Sequence, residues 1–192
     1  MSVWAIAILV LLGITAVYGI TIYNALVALK HGVGKHLANI DVLLKQRHEE
    51  LPKLVETCKQ YMRYEQQTLE QVISARNQVA QAQTRGDMQQ LGAAETSLRQ
   101  GLGQLFALAE NYPELKANDN FQHLQQRISG LENAIADRRE VYNEAVNNNN
   151  VRLEQFPDVI IARFFAFKDF ELLEFSDAET ADVDVKSLFE AC

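Results

Sequence analysis

The chain has 192 residues, with 18 basic and 25 acidic side chains, a formal net charge of -7 and a sequence pI of about 5.1. A phosphate-backbone binder needs a dense basic face, so this balance excludes nucleic acid as an expected partner. Only 3 Pro occur, Gly is sparse after Gly34, and Ala, Leu, Gln and Glu abound, a mixture that favours long helices and shows no strand-like alternation.

The first predicted element is a membrane span. No charged side chain occurs from Met1 to Leu29, and Val3 to Ile22 is almost wholly aliphatic. At about 1.5 Å per residue, roughly 20 such residues cross a hydrocarbon core about 30 Å thick. A cleaved secretory signal would begin with basic residues and end on small ones. Here no Lys or Arg precedes the run, and Val17-Tyr18-Gly19 places a bulky Tyr at the best cleavage candidate, so an uncleaved anchor over residues 1–23 is expected. Trp4, Tyr18 and Tyr23 suit interfacial aromatic positions. Lys30, Lys35, Lys45 and Arg47 follow the run and no basic residue precedes it, which puts the amino terminus outside and the carboxyl-terminal side in the cytoplasm.

Residues 24–175 read as one helical bundle. From Val33 the apolar positions Leu37, Ile40, Leu44, Leu51, Leu54, Cys58, Tyr61, Val72 and Val79 recur in threes and fours, the coiled-coil-like seam of a long first rod. The rod is expected to flow out of the span through Tyr23-Asn24. Pro52 predicts a kink or restart near Glu49 to Leu51, because it lacks an amide donor and crowds the preceding turn. Arg85-Gly86-Asp87 predicts a reversal, with Gly past a helix end and Asp starting the next. A second rod runs through Leu91, Leu98, Leu102 and Leu105 until Tyr112-Pro113 stops it. Asn118, Asp119 or Asn120 caps a third, whose seam runs from Phe121 to Phe156 before Pro157 closes it. Three antiparallel rods make an up-and-down bundle that lacks a comfortable fourth wall. The Phe-rich segment from Val159 to Phe175 can supply it as a short helix folded back or can face another subunit, with membrane-surface contact as a third reading. Asn147 to Asn150 reads as a soft spot in the third rod. Residues 176–192 form an acidic tail in which Asp177, Glu179, Asp182, Asp184 and Glu190 face a single Lys186, as expected of a solvated, flexible end.

Chemistry is hard to find. Cys58 and Cys192 form no metal or redox spacing, and Cys58 falls on the apolar register as a small core residue. None of His31, His36, His48 and His123 follows a Glu by three residues, so the di-iron bundle pattern is absent. There is no phosphate-binding loop, nucleophile elbow or H-E-x-x-H motif. The expectation is therefore no enzyme, no catalytic or metal-binding residue and no cofactor. Arg47, Glu65, Arg76, Arg138 and Asn149 do interrupt the apolar seam. Buried charges need partners, so structural pairing is expected, with Glu65 meeting Arg76 or Arg138.

These residues resemble the LemA family of bacterial membrane-anchored helical proteins over nearly the whole chain, from Tyr23 to about Phe167. The resemblance rests on Tyr23-Asn24-Ala25-Leu26-Val27, on Ile40-Asp41-Val42-Leu43-Leu44-Lys45-Gln46-Arg47, on Leu51-Pro52-Lys53-Leu54-Val55 with Tyr61 and Glu65, and on Ala75-Arg76. Its most specific part is Glu110-Asn111-Tyr112-Pro113-Glu114-Leu115-Lys116-Ala117-Asn118 with Phe121 and Leu124, followed by Glu132-Asn133-Ala134-Ile135-Ala136, Arg138, Tyr142-Asn143 and Phe156-Pro157. Leu37-Ala38-Asn39 departs from the pattern by lacking the aromatic that often precedes the Ile-Asp pair. The resemblance implies a span followed by a long helical bundle in a bacterial inner membrane, and no catalytic residue or cofactor. The Glu110 to Asn118 loop reads as a structural corner.

The expected function is that of a membrane-anchored interaction or scaffold protein. Its expected partners are the lipid bilayer, further copies of itself in a homo-oligomer, and a membrane protein. The alternatives are an accessory subunit of a membrane protease or envelope-stress system, and a metalloprotein or enzyme with an unrecognised site in the bundle.

Overall fold

The computed structural model describes residues 2–174; Phe175, the acidic tail from Ser176 and Cys192 lie outside the described residues. The described residues are all-α: α1 (Val3–Tyr61), α2 (Gln66–Arg85), α3 (Met88–Ala109), α4 (Pro113–Lys116), α5 (Asp119–Glu154) and α6 (Asp158–Phe164). They fall into two compact units, one built from residues 2–46 with Gly130–Leu172, the other from Arg47–Ser129 with Leu173 and Glu174.

Helix α1 is continuous from the apolar run onward, as the sequence predicts at Tyr23-Asn24, but Pro52 does not divide it. The interruption falls later, at residues 62–65. The reason lies in the carbonyl that Pro52 strands. A residue at position 52 would ordinarily donate its amide to the carbonyl of His48, four residues back. The Nε of Arg76, on α2, donates to that carbonyl at 3.0 Å and satisfies it from a neighbouring helix.

In the first unit, Ile22 and Leu26 of α1 are buried with Ala162 of α6, and Leu153, Ile161 and Phe167 pack against them. Helix α6 stays close to α5 through an ion pair between Arg152 and the buried Asp158. After α6 the chain turns through Ala166, the one non-glycine with positive φ (54°) among the described residues, and continues as a non-helical strap. Asn150 brackets the strap: its Nδ2 donates to the Phe170 carbonyl at 2.8 Å while its Oδ1 accepts from the Phe170 amide at 3.0 Å. The Tyr142 hydroxyl donates to the carbonyl of Glu171 at 2.9 Å. Asn147 to Asn150 is thus no soft spot. Helix α5 runs through it, Asn149 is buried, and Asn150 holds the strap. The expected wall over Val159–Phe175 divides accordingly: Ala162, Phe167 and Leu173 turn inward, while Phe164 and Phe165 stay exposed.

In the second unit, α2 and α3 form an antiparallel hairpin. Gly86 takes the left-handed conformation (φ 68°) that ends α2, and the side chain of Asp87 accepts from the Gln90 amide at 2.8 Å to start α3. Leu69, Val72, Ala75, Val79 and Ala82 recur on one face of α2 and are buried, as are Leu91, Leu98, Leu102 and Leu105 of α3. The two helices pack closely at Gly101, where a Cβ would stand in ordinary van der Waals contact, 3.4 Å from Val72 Cγ2. Gly92 has a stricter role: a Cβ would meet the backbone carbonyl oxygen of Glu174 at 1.9 Å, so the strap crosses α3 only because position 92 has no side chain.

Replacing Arg76 by Met should remove the donor to the His48 carbonyl and cost about 1–3 kcal/mol of stability. In a Pro52→Ala background the same replacement should cost less, because alanine at that position restores the helical amide. Chemical denaturation of the four proteins in mild detergent measures both losses, and equal losses would show that the stranded carbonyl is not what Arg76 serves.

Candidate functional site

Two features stand apart from ordinary packing. The first is the bare start of α1. From Val3 to Ile20, 18 residues or about 27 Å of helix, the apolar side chains face outward: Leu9 is 58% exposed, Leu12 60% and Ile20 60%. The first buried side chain is that of Ile22, which is 5% exposed. The helix is long and apolar enough to cross a bilayer. Just beyond it, Tyr23 packs against Phe165 (ring centroids 4.7 Å apart) and Phe167 (5.8 Å). An open cleft of about 670 Å³ lies beside these rings, lined by Tyr23, Val27, Lys30, His31 and residues 165–170. It combines aromatic walls with the cationic side chains of Lys30 and Lys168 and the carboxylate of Asp169.

The second feature is the polar seam of the second unit. Arg47, 2% exposed, forms a buried ion pair with Glu95 of α3, 4% exposed. Helix α1 also carries Glu50, which meets Lys53 at 3.1 Å and Arg127 of α5 at 3.1 Å. The expected pairing of Glu65 with Arg76 or Arg138 does not form. Glu65 accepts a hydrogen bond from the Tyr112 hydroxyl at 3.4 Å, Arg76 turns to the His48 carbonyl and Asn77, and Arg138 is exposed. The periodicity places these groups near one seam but leaves their heights along it undetermined.

The Glu110 to Asn118 segment is a corner held by side chains. Pro113 opens the single turn of α4, Leu115 is buried, and Lys116 pairs with Glu110. Asn118 caps α5, accepting from the Phe121 amide at 3.0 Å while its Nδ2 donates to the Tyr61 hydroxyl at 3.1 Å. Glu110, Tyr112, Lys116 and Asn118 of the corner therefore each have a structural partner. Of the residues whose types suggest chemistry, the histidines do not converge, and no group of three His, Cys, Asp or Glu capable of holding a metal occurs among the described residues. Burial pushes the Cys58 thiol up to about 12, which keeps it protonated and inert at neutral pH. Partial burial and then the Glu65 carboxylate raise the Tyr112 hydroxyl, and burial followed by Glu171 raises that of Tyr142.

A profile of the LemA family matches residues 36–187. The chain belongs to the LemA family. Among curated proteins it is similar to two from Paramagnetospirillum magneticum, Magnetosome protein MamQ 2 and Magnetosome protein MamQ 1, each 29% identical over 97 residues. It is also similar to Magnetosome protein MamQ of Magnetospirillum gryphiswaldense, 26% identical over 97 residues. Each match covers 50% of this chain and 36% of the relative, so it spans about a third of the relatives' length. The LemA match takes in Pro52, Arg76, the 110–118 corner and Tyr142, whose contacts here are all packing and capping contacts.

Glu95→Leu takes from the buried Arg47 guanidinium its ion-pair partner and should cost about 3–5 kcal/mol, whereas Arg47→Met with Glu95→Leu should recover most of that loss. Thermal unfolding of the single and double variants checks it, and a double variant no better than the single would argue for a role beyond pairing. His48 gives a pH signature. Burial, followed by the Arg76 charge, lowers its pKa from 6.5. The folded protein then binds fewer protons than the unfolded chain, so this contribution to stability is full above the unfolded pKa and lost as pH falls through the folded one. His48→Gln should flatten that part of the stability profile.

Proposed function

We propose that this LemA-family chain is a single-pass, membrane-anchored helical scaffold that works by association. The observation that carries the reading is the exposure of α1 from Val3 to Ile20, an apolar helical surface whose large side chains all stay exposed and that continues without a break into packed helix. Left in water, such a stripe would cost roughly 25 cal/mol for each Å² of apolar surface, which a bilayer removes. The polar groups of the seam supply packing partners for one another, which supports a structural rather than a reactive core. The basic residues after the span, Lys30 and Lys35 first among them, favour an amino terminus outside and a cytoplasmic bundle at the inner membrane. Homo-oligomerisation is the mechanism proposed, with spans gathered laterally as bundles pair; a membrane-protein partner is the second route to the same scaffold role.

The full chain should remain in the membrane pellet through alkaline carbonate washing, and mild-detergent extraction should give a mass of more than one copy. A chain released by carbonate would remove the anchor. A strict monomer at every accessible concentration, with no co-eluting chain, would remove the scaffold.

A further inference from the structure

We propose that α6 and the turn after it form a membrane-surface foot, lying in the interfacial layer of the same bilayer that α1 crosses. This inference rests on the anchored reading of α1. The placement comes from Gly19: a Cβ there would lie 3.7 Å from Ile161 Cδ1, so α6 abuts α1 three residues before Ile22, beside the last turn of the bare apolar stretch. One side of α6 is committed inward, with Ala162 3% exposed against Ile22 and Leu26. The other side exposes apolar side chains: Ile160 is 57% exposed and Phe164 80%, four residues apart and so on one helical face. Phe165, just past the helix end, is 52% exposed although it packs on Tyr23, and Phe156, in the turn before α6, is 82% exposed.

The occupant is fixed by continuity and by charge. A surface that begins within van der Waals reach of a lipid-facing helical turn meets the acyl and headgroup boundary before it meets any soluble partner. Aromatic rings are the side chains that favour this layer, and Phe164, Phe165 and Tyr23 make a continuous ring cluster there, the first pair 5.0 Å and the second 4.7 Å between centroids. Arg163 and Lys168, both exposed, flank the rings, and Lys30 lines the adjoining cleft, so cationic side chains surround the apolar face where lipid phosphates lie. The foot would set the angle at which the first unit leaves the membrane, because it gives that unit a second point of contact beside the span.

The test uses the full chain in liposomes of phosphatidylcholine and phosphatidylglycerol. The single Trp, Trp4, is replaced by Phe. Into that background goes either Phe164→Trp, to report on the foot, or Leu12→Trp, to report on the span. Lipids brominated near the glycerol backbone or near the chain ends then quench by depth. The foot predicts blue-shifted Phe164→Trp emission, quenched more by shallow bromines than by deep ones, alongside Leu12→Trp quenched most by deep bromines. Red-shifted, unquenched emission from position 164 with a quenched position 12 would place the face in water and overturn the foot while leaving the anchor. Blue-shifted but unquenched emission from position 164 would place it against protein, a second copy included, and would overturn the foot equally. If position 12 also escapes quenching, the anchor fails and the foot with it.

Discussion

One hydrogen bond carries an unusual share of this fold: Arg76 Nε to the carbonyl of His48. A Pro inside a helix costs about 3 kcal/mol or more, part of it from the carbonyl left without a donor. A hydrogen bond from a charged group contributes about 1.5–3 kcal/mol, enough to offset much of that cost. The offset comes from α2, which supplies the donor beside the unbroken turn of α1 at Pro52. Helix continuity, a local property in most chains, here draws on tertiary structure. Burial first, and then the same guanidinium, lowers the proton affinity of the His48 side chain.

The buried and half-buried polar groups follow one logic. Arg47 meets Glu95, Glu50 meets Lys53 and Arg127, Asp158 meets Arg152, and Glu65 meets Tyr112. A long helix with a uniform apolar stripe can slide by one turn against its neighbour with little loss, whereas an ion pair such as Arg47 with Glu95 is satisfied at a single height. The seam gives these helices a register at the expense of some raw stability. It also explains why residues that look chemically interesting in a string of Leu and Val have packing partners when the chain is folded.

The features legible in the sequence are those that depend on neighbours along the chain. The apolar run, the Gly86-Asp87 reversal, the stop at Tyr112-Pro113 and the cap at Asn118 each follow from local stereochemistry, and each lies where that chemistry puts it. The features that were not legible depend on who lies opposite. Helical periodicity tells which face Glu65, Arg76 and Arg138 occupy, but not how far one helix is shifted against another, and so it names the wrong pairs. Pro52 reads as a break because the rescuing donor is 24 residues further along the chain. The four Asn residues read as weakness on intrinsic propensity, which amounts to a few tenths of a kcal/mol per residue and is overridden once Asn150 gains two backbone partners. The strap has neither period, and only the bracketing side chain marks it.

That bracket constrains the strap in an asymmetric way. Asn150 contacts the amide and carbonyl of residue 170 and not its ring, so the grip is blind to which side chain stands there. Gly92 acts in the same manner further on, admitting the backbone of Glu174 by shape alone. Each grip reads the main chain, and so selects which peptide unit stands opposite it rather than which side chain that residue carries. A residue gained or lost beside either grip puts the wrong peptide unit there. The strap is free to diverge in side chain at residues 170 and 174, whereas Phe167 and Leu173, which turn inward, are held in both chemistry and place.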